Sequence, residues 1–209
     1  MVEITILLGV IGILLTIIVT FTFYEIQRRQ SIKQLNYQKE QFEAILLIIR
    51  ATLEKMSIVE MNSQRTEYIE KSVAGVSETF RSLNQIDQLT GKKVLWVDDH
   101  PEWNHYERIA FEVLGIGITC SLSTDDALAQ LKTGNIDLII SDVFSDVGIA
   151  KGFELLHKVK AINSQIPVVF YTGHVTDELA DEAKKLGAYG IEDIPARLSG
   201  TVLKVLLKI

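Results

Sequence analysis

The sequence predicts an α/β fold with a doubly wound, five-stranded parallel sheet, preceded by a transmembrane helix and a long helical stalk. Three observations support this: an uncharged run at residues 4–23, a stretch without glycine or proline at residues 25–74, and five short apolar runs after residue 91, each followed by a helical pattern. Buried parallel strands are near-continuous apolar runs joined by helical crossovers. The 209 residues therefore divide into segments 1–24, 25–90 and 91–209.

The first segment is a candidate membrane helix. Residues 4–23 carry no charge, and a helix of about 20 residues spans the ~30 Å hydrocarbon core of a bilayer. The run lacks a preceding basic residue and a following small-residue cleavage site, which disfavours a cleaved signal peptide; an apolar surface on every side disfavours a buried core helix. Because Arg28, Arg29 and Lys33 follow the run, the positive-inside rule predicts a single-pass inner-membrane protein with an external N-terminus and a cytoplasmic remainder.

The second segment is the predicted stalk. Its apolar residues step by four and three, the heptad spacing of coiled coils, in two runs offset by one residue. The first run is Phe42, Leu46, Ile49, Leu53 and Met56, and the second is Ile69, Val73, Val76, Phe80 and Leu83. We expect a homo-oligomer through this segment. Two alternatives remain open: a hairpin of two amphipathic helices, or a helix that packs on the C-terminal domain.

The third segment alternates strand and helix patterns. Its predicted strands are 93–97, 117–121, 136–141, 167–171 and 189–191, and its predicted helices are 102–114, 124–132, 152–162, 177–186 and 196–208. Residues 94–209 carry seventeen acidic and ten basic side chains, a net charge of −7. Nucleic-acid binding needs a basic face, so this composition disfavours nucleic acid as a direct ligand. One cysteine excludes a disulfide framework.

Polar residues follow three of the predicted strands. Asp98 and Asp99 follow the first strand, Asp142 the third and Thr172 the fourth. The carboxyl ends of parallel strands meet at one edge of the sheet, where doubly wound folds bind ligands. Converging carboxylates repel each other unless they hold a cation, and oxygen ligands of this kind suit Mg²⁺. A phosphoryl group could then be transferred to Asp142 and hydrogen-bonded by Thr172. The alternative is that each aspartate only caps the following helix.

The segments VLWVDDHP, DLIISDV and IPVVFYTGH closely resemble the receiver domain of bacterial two-component response regulators, from residue 92 to the C-terminus. The resemblance implies a flavodoxin-like fold and Mg²⁺ held by Asp98, Asp99, Asp142 and the backbone carbonyl of Phe144, with Asp99 the more direct ligand of the acidic pair. It also implies that Asp142 accepts a phosphoryl group from a histidine kinase or another phosphodonor, and that Thr172 is the switch hydroxyl. A change at the site would pass to a downstream protein, without a separate catalytic output module.

The sequence departs from the receiver pattern at three places. The lysine that family members carry before a proline after the fifth strand is Ile194 here, and Arg197 lies three residues further on; the aromatic switch position is Ile191. The loop after Asp142, VFSDVGIAKG, is about two residues longer than usual and lacks its proline. These departures leave open a second reading, a non-phosphorylated pseudo-receiver that acts as a membrane-tethered interaction scaffold.

Overall fold

The computed structural model describes residues 2–56, 63–144 and 151–209, with side chains for residues 19–55, 67–79, 85, 87–144 and 151–209. The α-helices are α1 Val2–Met56, α2 Ser63–Ser82, α3 His105–Val113, α4 Thr124–Thr133, α5 Lys151–Ile162, α6 Asp177–Lys185 and α7 Pro195–Leu207. The strands are β1 Lys93–Val97, β2 Gly117–Ser121, β3 Leu138–Ser141, β4 Val168–Tyr171 and β5 Gly190–Glu192. Short 3₁₀ helices lie at Leu83–Gln88 and Pro101–Asn104.

The five strands form one sheet in the order β2-β1-β3-β4-β5, and every pair is parallel. This confirms the predicted doubly wound sheet. The strands begin within two residues of their predicted starts, with β3 starting at Leu138 rather than at residue 136. The predicted helix at 102–114 is divided, because Pro101 opens a 3₁₀ turn before α3 begins at His105.

One core lies between the sheet and the helices α4 and α5. All four residues of β3 and all four of β4 are buried, as parallel strands covered on both faces require. Leu155, Leu156 and Val159 of α5 pack against this face with exposures of at most 1%. Each fully buried aliphatic side chain contributes about 1.5–3 kcal/mol through removal from water. This core fixes the strand ends at which the functional residues lie.

Residues 1–40 and residues 41–209 form two compact units. Within the second unit, the end of α1 packs on the sheet domain: Ala44, Ile48 and Ala51 are at most 2% exposed. Ile48 lies in a cluster with Ala110, Ile194 and Ala196. Of the three interpretations of the stalk, the structure therefore shows a helix that packs on the C-terminal domain.

The predicted heptad seam lies on a different face of α1. Phe42, Leu46 and Leu53 are 63%, 49% and 54% exposed, and Ile69 and Val73 of the second run are also exposed. Met56, Phe80 and Leu83 lie outside the residues whose side chains are described. The structure thus shows a long helix here, and the coiled coil stays a prediction.

Helix α2 packs along α7. A Cβ atom on Gly75 would lie 2.5 Å from the backbone carbonyl carbon of Ala196, so the two helices approach each other at a position that only glycine fits. Lys204 of α7 pairs with Glu78 of α2 at 3.3 Å on the same face. The face of α7 that meets Gly75 and Glu78 is consequently covered by the chain's own helix.

Among the residues that the structure describes, no helix is both long enough and apolar enough to cross a membrane. The structure therefore does not support the predicted transmembrane helix at residues 4–23. Residues 1–18, which make up most of that prediction, lie outside the residues whose side chains are described.

Candidate functional site

The ends of β1, β3 and β4 open into one cleft of about 1190 Å³. Asp98, Asp142 and Thr172 line it from the sheet, as predicted from their positions at strand ends. Lys55 of α1 and Tyr68 of α2 line its other side. The cleft is thus built jointly by the sheet domain and by the helices that precede it.

Asp98 is the buried member of the acidic pair, with 8% exposure. Its Oδ1 accepts a hydrogen bond from the backbone N–H of His100 at 2.8 Å, and its Oδ2 accepts one from the Asn104 side-chain amide at 2.6 Å. Burial raises the pKa of the Asp98 carboxyl, and the His100 N–H opposes this. Both oxygens of Asp98 are therefore held in a fixed orientation.

Asp142 lies directly after β3 and is half-buried. Burial raises the pKa of its carboxyl, the backbone N–H of Phe144 lowers it by donating to Oδ1 at 3.3 Å, and the nearby Asp98 charge raises it. Hydrogen bonding with the Thr172 side chain also lowers the Asp142 pKa, so the predicted acceptor and the predicted switch hydroxyl are in contact. This arrangement leaves a carboxylate at the mouth of the cleft with a hydroxyl beside it.

The donor set fits a hard cation. The Asp98 charge raises the pKa of the Asp142 carboxyl, a cost of ionisation that a bound cation would relieve, and Mg²⁺ needs only one or two carboxylates beside its waters. Asp99 is exposed and does not line the cleft, whereas Asp98 does. Among the described residues, no three acidic, histidine or cysteine side chains converge as a metal cluster. The set of Asp98, Asp99, Asp142 and the Phe144 carbonyl stays a prediction.

The sequence reasoning missed a cation at the cleft. Lys55 Nζ donates to the Asn104 Oδ1 at 3.0 Å and to the Tyr171 hydroxyl at 2.7 Å, and it lies 3.2 Å from the Glu107 carboxylate. Tyr171 in turn donates to Glu107 at 2.7 Å. No spacing rule connects a residue of the predicted stalk to the end of β4. The absence of a lysine at position 194 was the one available signal that a cation comes from elsewhere.

The family lysine position is apolar and buried. Ile194 is 1% exposed and packs against Ile48 of α1. Arg197 is occupied elsewhere: its Nε lies 2.8 Å from the Glu192 carboxylate. Ile191, at the aromatic switch position, is partly buried and packs against the core that the sheet forms with α4 and α5. The residues 145–150 of the long loop lie outside the described residues.

Asp142→Asn is expected to raise the melting temperature at pH 7 by a few degrees in the absence of divalent cations. The folded state raises the Asp142 pKa, so ionisation at neutral pH costs stability that protonation restores. The difference between variant and wild type should shrink as the pH falls through the raised Asp142 pKa toward the ordinary aspartate value of 3.8, because the carboxyl is protonated in both the folded and the unfolded state below that value. Thermal unfolding at a series of pH values measures this, and a difference that grows on acidification would contradict it.

The fold and the cleft define a class: a doubly wound α/β domain with an acidic pair, a strand-end aspartate and a neighbouring hydroxyl at the carboxyl edge of the sheet. Residues 94–192 match the response regulator receiver domain family. This part of the chain is a receiver domain, and the resemblance of its motifs to that family is confirmed.

Two regulatory proteins contain segments similar to this domain. The chain is 31% identical over 102 residues to the nitrogen assimilation regulatory protein NtrX of Azorhizobium caulinodans, covering 49% of this chain and 22% of that protein. It is 35% identical over 74 residues to the transcriptional regulatory protein ZraR of Salmonella typhimurium, covering 35% of this chain and 16% of that protein. The chain thus spans about a fifth of the length of the curated relatives it matches. The solved chemotaxis response regulator CheY4 of Vibrio cholerae is 30% identical, with a TM-score of 0.48, over 56% of this chain and 99% of that one.

Proposed function

We propose that this protein is a signalling phosphoacceptor in a two-component pathway, with Asp142 as the acceptor. The carrying observation is the position of Asp142 at the end of β3, in one cleft with Asp98 and in contact with Thr172. An Asp142 oxygen attacks the phosphorus of a phosphohistidine on a kinase, the P–N bond breaks, and the imidazole takes up a proton. Mg²⁺ held by Asp98, Asp99, Asp142 and the Phe144 carbonyl would neutralise charge on the phosphoryl oxygens.

Thr172 would then respond to the phosphoryl group on Asp142. Its hydroxyl already hydrogen-bonds with Asp142, and its backbone N–H donates to the Glu192 carbonyl on β5 at 3.1 Å. A hydroxyl drawn toward a phosphoryl oxygen would shift the β4–α6 loop, in which Val175 N–H donates to the Asp193 carboxylate at 3.1 Å. The change would reach the surface formed by β5 and α7, and there a downstream partner or α2 itself.

The test is incorporation of a phosphoryl group by the full chain. Wild type incubated with Mg²⁺ and acetyl phosphate should gain the mass of one phosphoryl group in an intact-mass measurement. Asp142→Asn should gain none. Asp177→Asn is the matched control, because Asp177 lines the same cleft from α6 and should not be needed. Equal uptake by wild type and Asp142→Asn would contradict the proposal.

A second candidate function is a pseudo-receiver scaffold without phosphoryl transfer. The observation in its favour is Ile194, which puts a buried aliphatic side chain where receivers carry a lysine. Under this candidate the domain is a constitutive docking module. Absence of phosphoryl uptake and of Mg²⁺ binding in wild type would favour it.

We also propose that the protein is a homo-oligomer attached to the inner membrane. Membrane attachment is supported by the uncharged run at residues 4–23 and by the basic residues that follow it. Self-association is supported by the exposed 4–3 stripe of Phe42, Leu46 and Leu53. Alkaline carbonate extraction of cell membranes tests the first, and cross-linking of a Phe42→Asp, Leu46→Asp variant against wild type tests the second. Release into the soluble fraction, or unchanged cross-linking, would contradict each in turn.

A further inference from the structure

An ion pair between a partly exposed lysine and a buried carboxylate joins α1 to the receiver domain. Glu107 of α3 is 4% exposed, and Lys55 reaches it from α1 at 3.2 Å. The Tyr171 hydroxyl accepts from Lys55 and donates to Glu107, both at 2.7 Å. A buried carboxylate is costly without a partner. The receiver domain is therefore built around a charge that its preceding helix neutralises.

Lys55 also fixes the orientation of an amide at the acidic site. Asn104 is 6% exposed and contacts Lys55 through Oδ1 at 3.0 Å and Asp98 through Nδ2 at 2.6 Å. An ammonium group can only donate hydrogen bonds and a carboxylate can only accept them. Asn104 must therefore turn its oxygen to Lys55 and its NH₂ to Asp98. The lysine and the carboxylate thus require the same orientation of the amide, and Lys55 holds the far end of it in place.

Lys55 acts on the acidic site by position as well as by charge. Burial raises the pKa of the Asp98 carboxyl, and the charge of Lys55 lowers it from across the cleft. Its position is transmitted by the chain of hydrogen bonds from Lys55 through Asn104 to Asp98. Ile194 provides no such bond from the family position.

We propose that Lys55, which lies outside the receiver segment, is a positioning residue of the acidic site: it holds Asn104 so that the amide fixes Asp98 for cation binding. This rests on the proposed function in one respect, that the cleft binds Mg²⁺. The docked helix α1 is then part of the site, and movement of that helix changes the affinity of the site for the cation.

The test measures Mg²⁺ binding to the full chain, with Mg²⁺ alone as the probe. Trp103 is the reporter, because it lines the cleft, is 68% exposed and stacks on His100 at 4.2 Å. The decisive variant is Lys55→Met with Glu107→Gln, which removes both charges and leaves no unpaired buried carboxylate. Its Mg²⁺ affinity should fall about fivefold, the effect of losing one hydrogen bond. Asn104→Ala should fall by a similar factor, and combining it with the pair should cost little more, since all act through one contact.

The matched control is Lys71→Met with Glu67→Gln. This second Lys–Glu pair lines the same cleft from α2 at 2.7 Å, but it does not contact Asn104 in the hydrogen bonds that the structure describes. Its Mg²⁺ affinity should equal that of wild type. Lys55→Arg, which keeps a charged donor, should restore binding that Lys55→Met with Glu107→Gln loses.

The outcomes separate this proposal from the proposed function. Mg²⁺ affinity unchanged in Lys55→Met with Glu107→Gln or in Asn104→Ala would overturn the role of Lys55, while phosphoryl uptake on Asp142 would still stand. Absence of Mg²⁺ binding in wild type would also overturn the role of Lys55. Lys55-dependent Mg²⁺ binding without phosphoryl uptake would support the role of Lys55 and reject the phosphoacceptor function. Equal losses in the Lys71 control would show a general charge effect and would also overturn it.

Discussion

Lys55→Met is expected to lower the free energy of unfolding by about 1–3 kcal/mol, less than for a wholly buried pair because Lys55 is 31% exposed. The variant leaves the Glu107 carboxylate, 4% exposed, without the ammonium group that lies 3.2 Å from it. The remaining described contact of Glu107, a hydrogen bond from the Tyr171 hydroxyl, does not neutralise the charge. The chain must then either bury an uncompensated charge or release α1 to admit water. Thermal unfolding followed by the fluorescence of Trp96, which is 1% exposed, measures the loss.

The control for this prediction removes the second charge. Lys55→Met combined with Glu107→Gln should bring stability back to within about 1 kcal/mol of wild type, since a neutral amide still accepts the Tyr171 hydrogen bond. Stability of the single Lys55→Met variant equal to wild type would mean that the pair is not formed in solution. That result would also remove the structural basis for a shared site.

Gly75→Leu is expected to separate α2 from α7 at a cost of about 3 kcal/mol or more. A Cβ at this position would lie 2.5 Å from the Ala196 carbonyl carbon and 2.6 Å from the Arg197 nitrogen. Both are backbone atoms, so no side-chain rotation relieves the overlap. Leucine is a good helix former, so α2 itself should persist while its packing on α7 is lost. Hydrogen exchange at the α7 amides, with thermal unfolding, reports this separation.

The neighbouring residue provides the matched substitution. Ala74 is exposed on α2, and Ala74→Leu adds a side chain of the same size without meeting α7. Its hydrogen exchange and melting temperature should remain close to wild type. If Gly75→Leu behaves like Ala74→Leu, the α2–α7 contact does not exist in solution and α7 is open to partners without any rearrangement.

The sheet and its strand ends were predictable because each strand is marked by a short apolar run within the sequence itself. Runs such as KVLWV and PVVFY are typical of strands buried on both faces, and their alternation with helical patterns is typical of a parallel sheet. Asp98, Asp142 and Thr172 then come to one edge whatever the rest of the chain does. The ligand role of Asp99 stays a prediction: Asp98 lines the cleft and Asp99 is exposed.

The packing of the helices was not predictable from periodicity. Two faces of α1 have the same 4–3 spacing: Phe42, Leu46, Ile49 and Leu53 lie on one, and Ala44, Ile48 and Ala51 lie on the other. Hydropathy favours the face with the larger side chains, whereas the structure buries the face with the alanines, which lets the helix approach closely. Lys55 continues the buried face at the next step of four. Its contact with Tyr171 joins residues 116 positions apart and depends entirely on that docking.

Identification of the modified residue tests most directly whether Asp142 accepts the phosphoryl group. Wild-type chain phosphorylated with acetyl phosphate and Mg²⁺ would be treated with borohydride, which reduces an acyl phosphate to an alcohol, then digested and sequenced by mass spectrometry. We expect homoserine in place of Asp142 and unmodified aspartate at positions 98 and 99. Homoserine at Asp98 or Asp99, or an unreduced phosphate on a histidine such as His174, would contradict it.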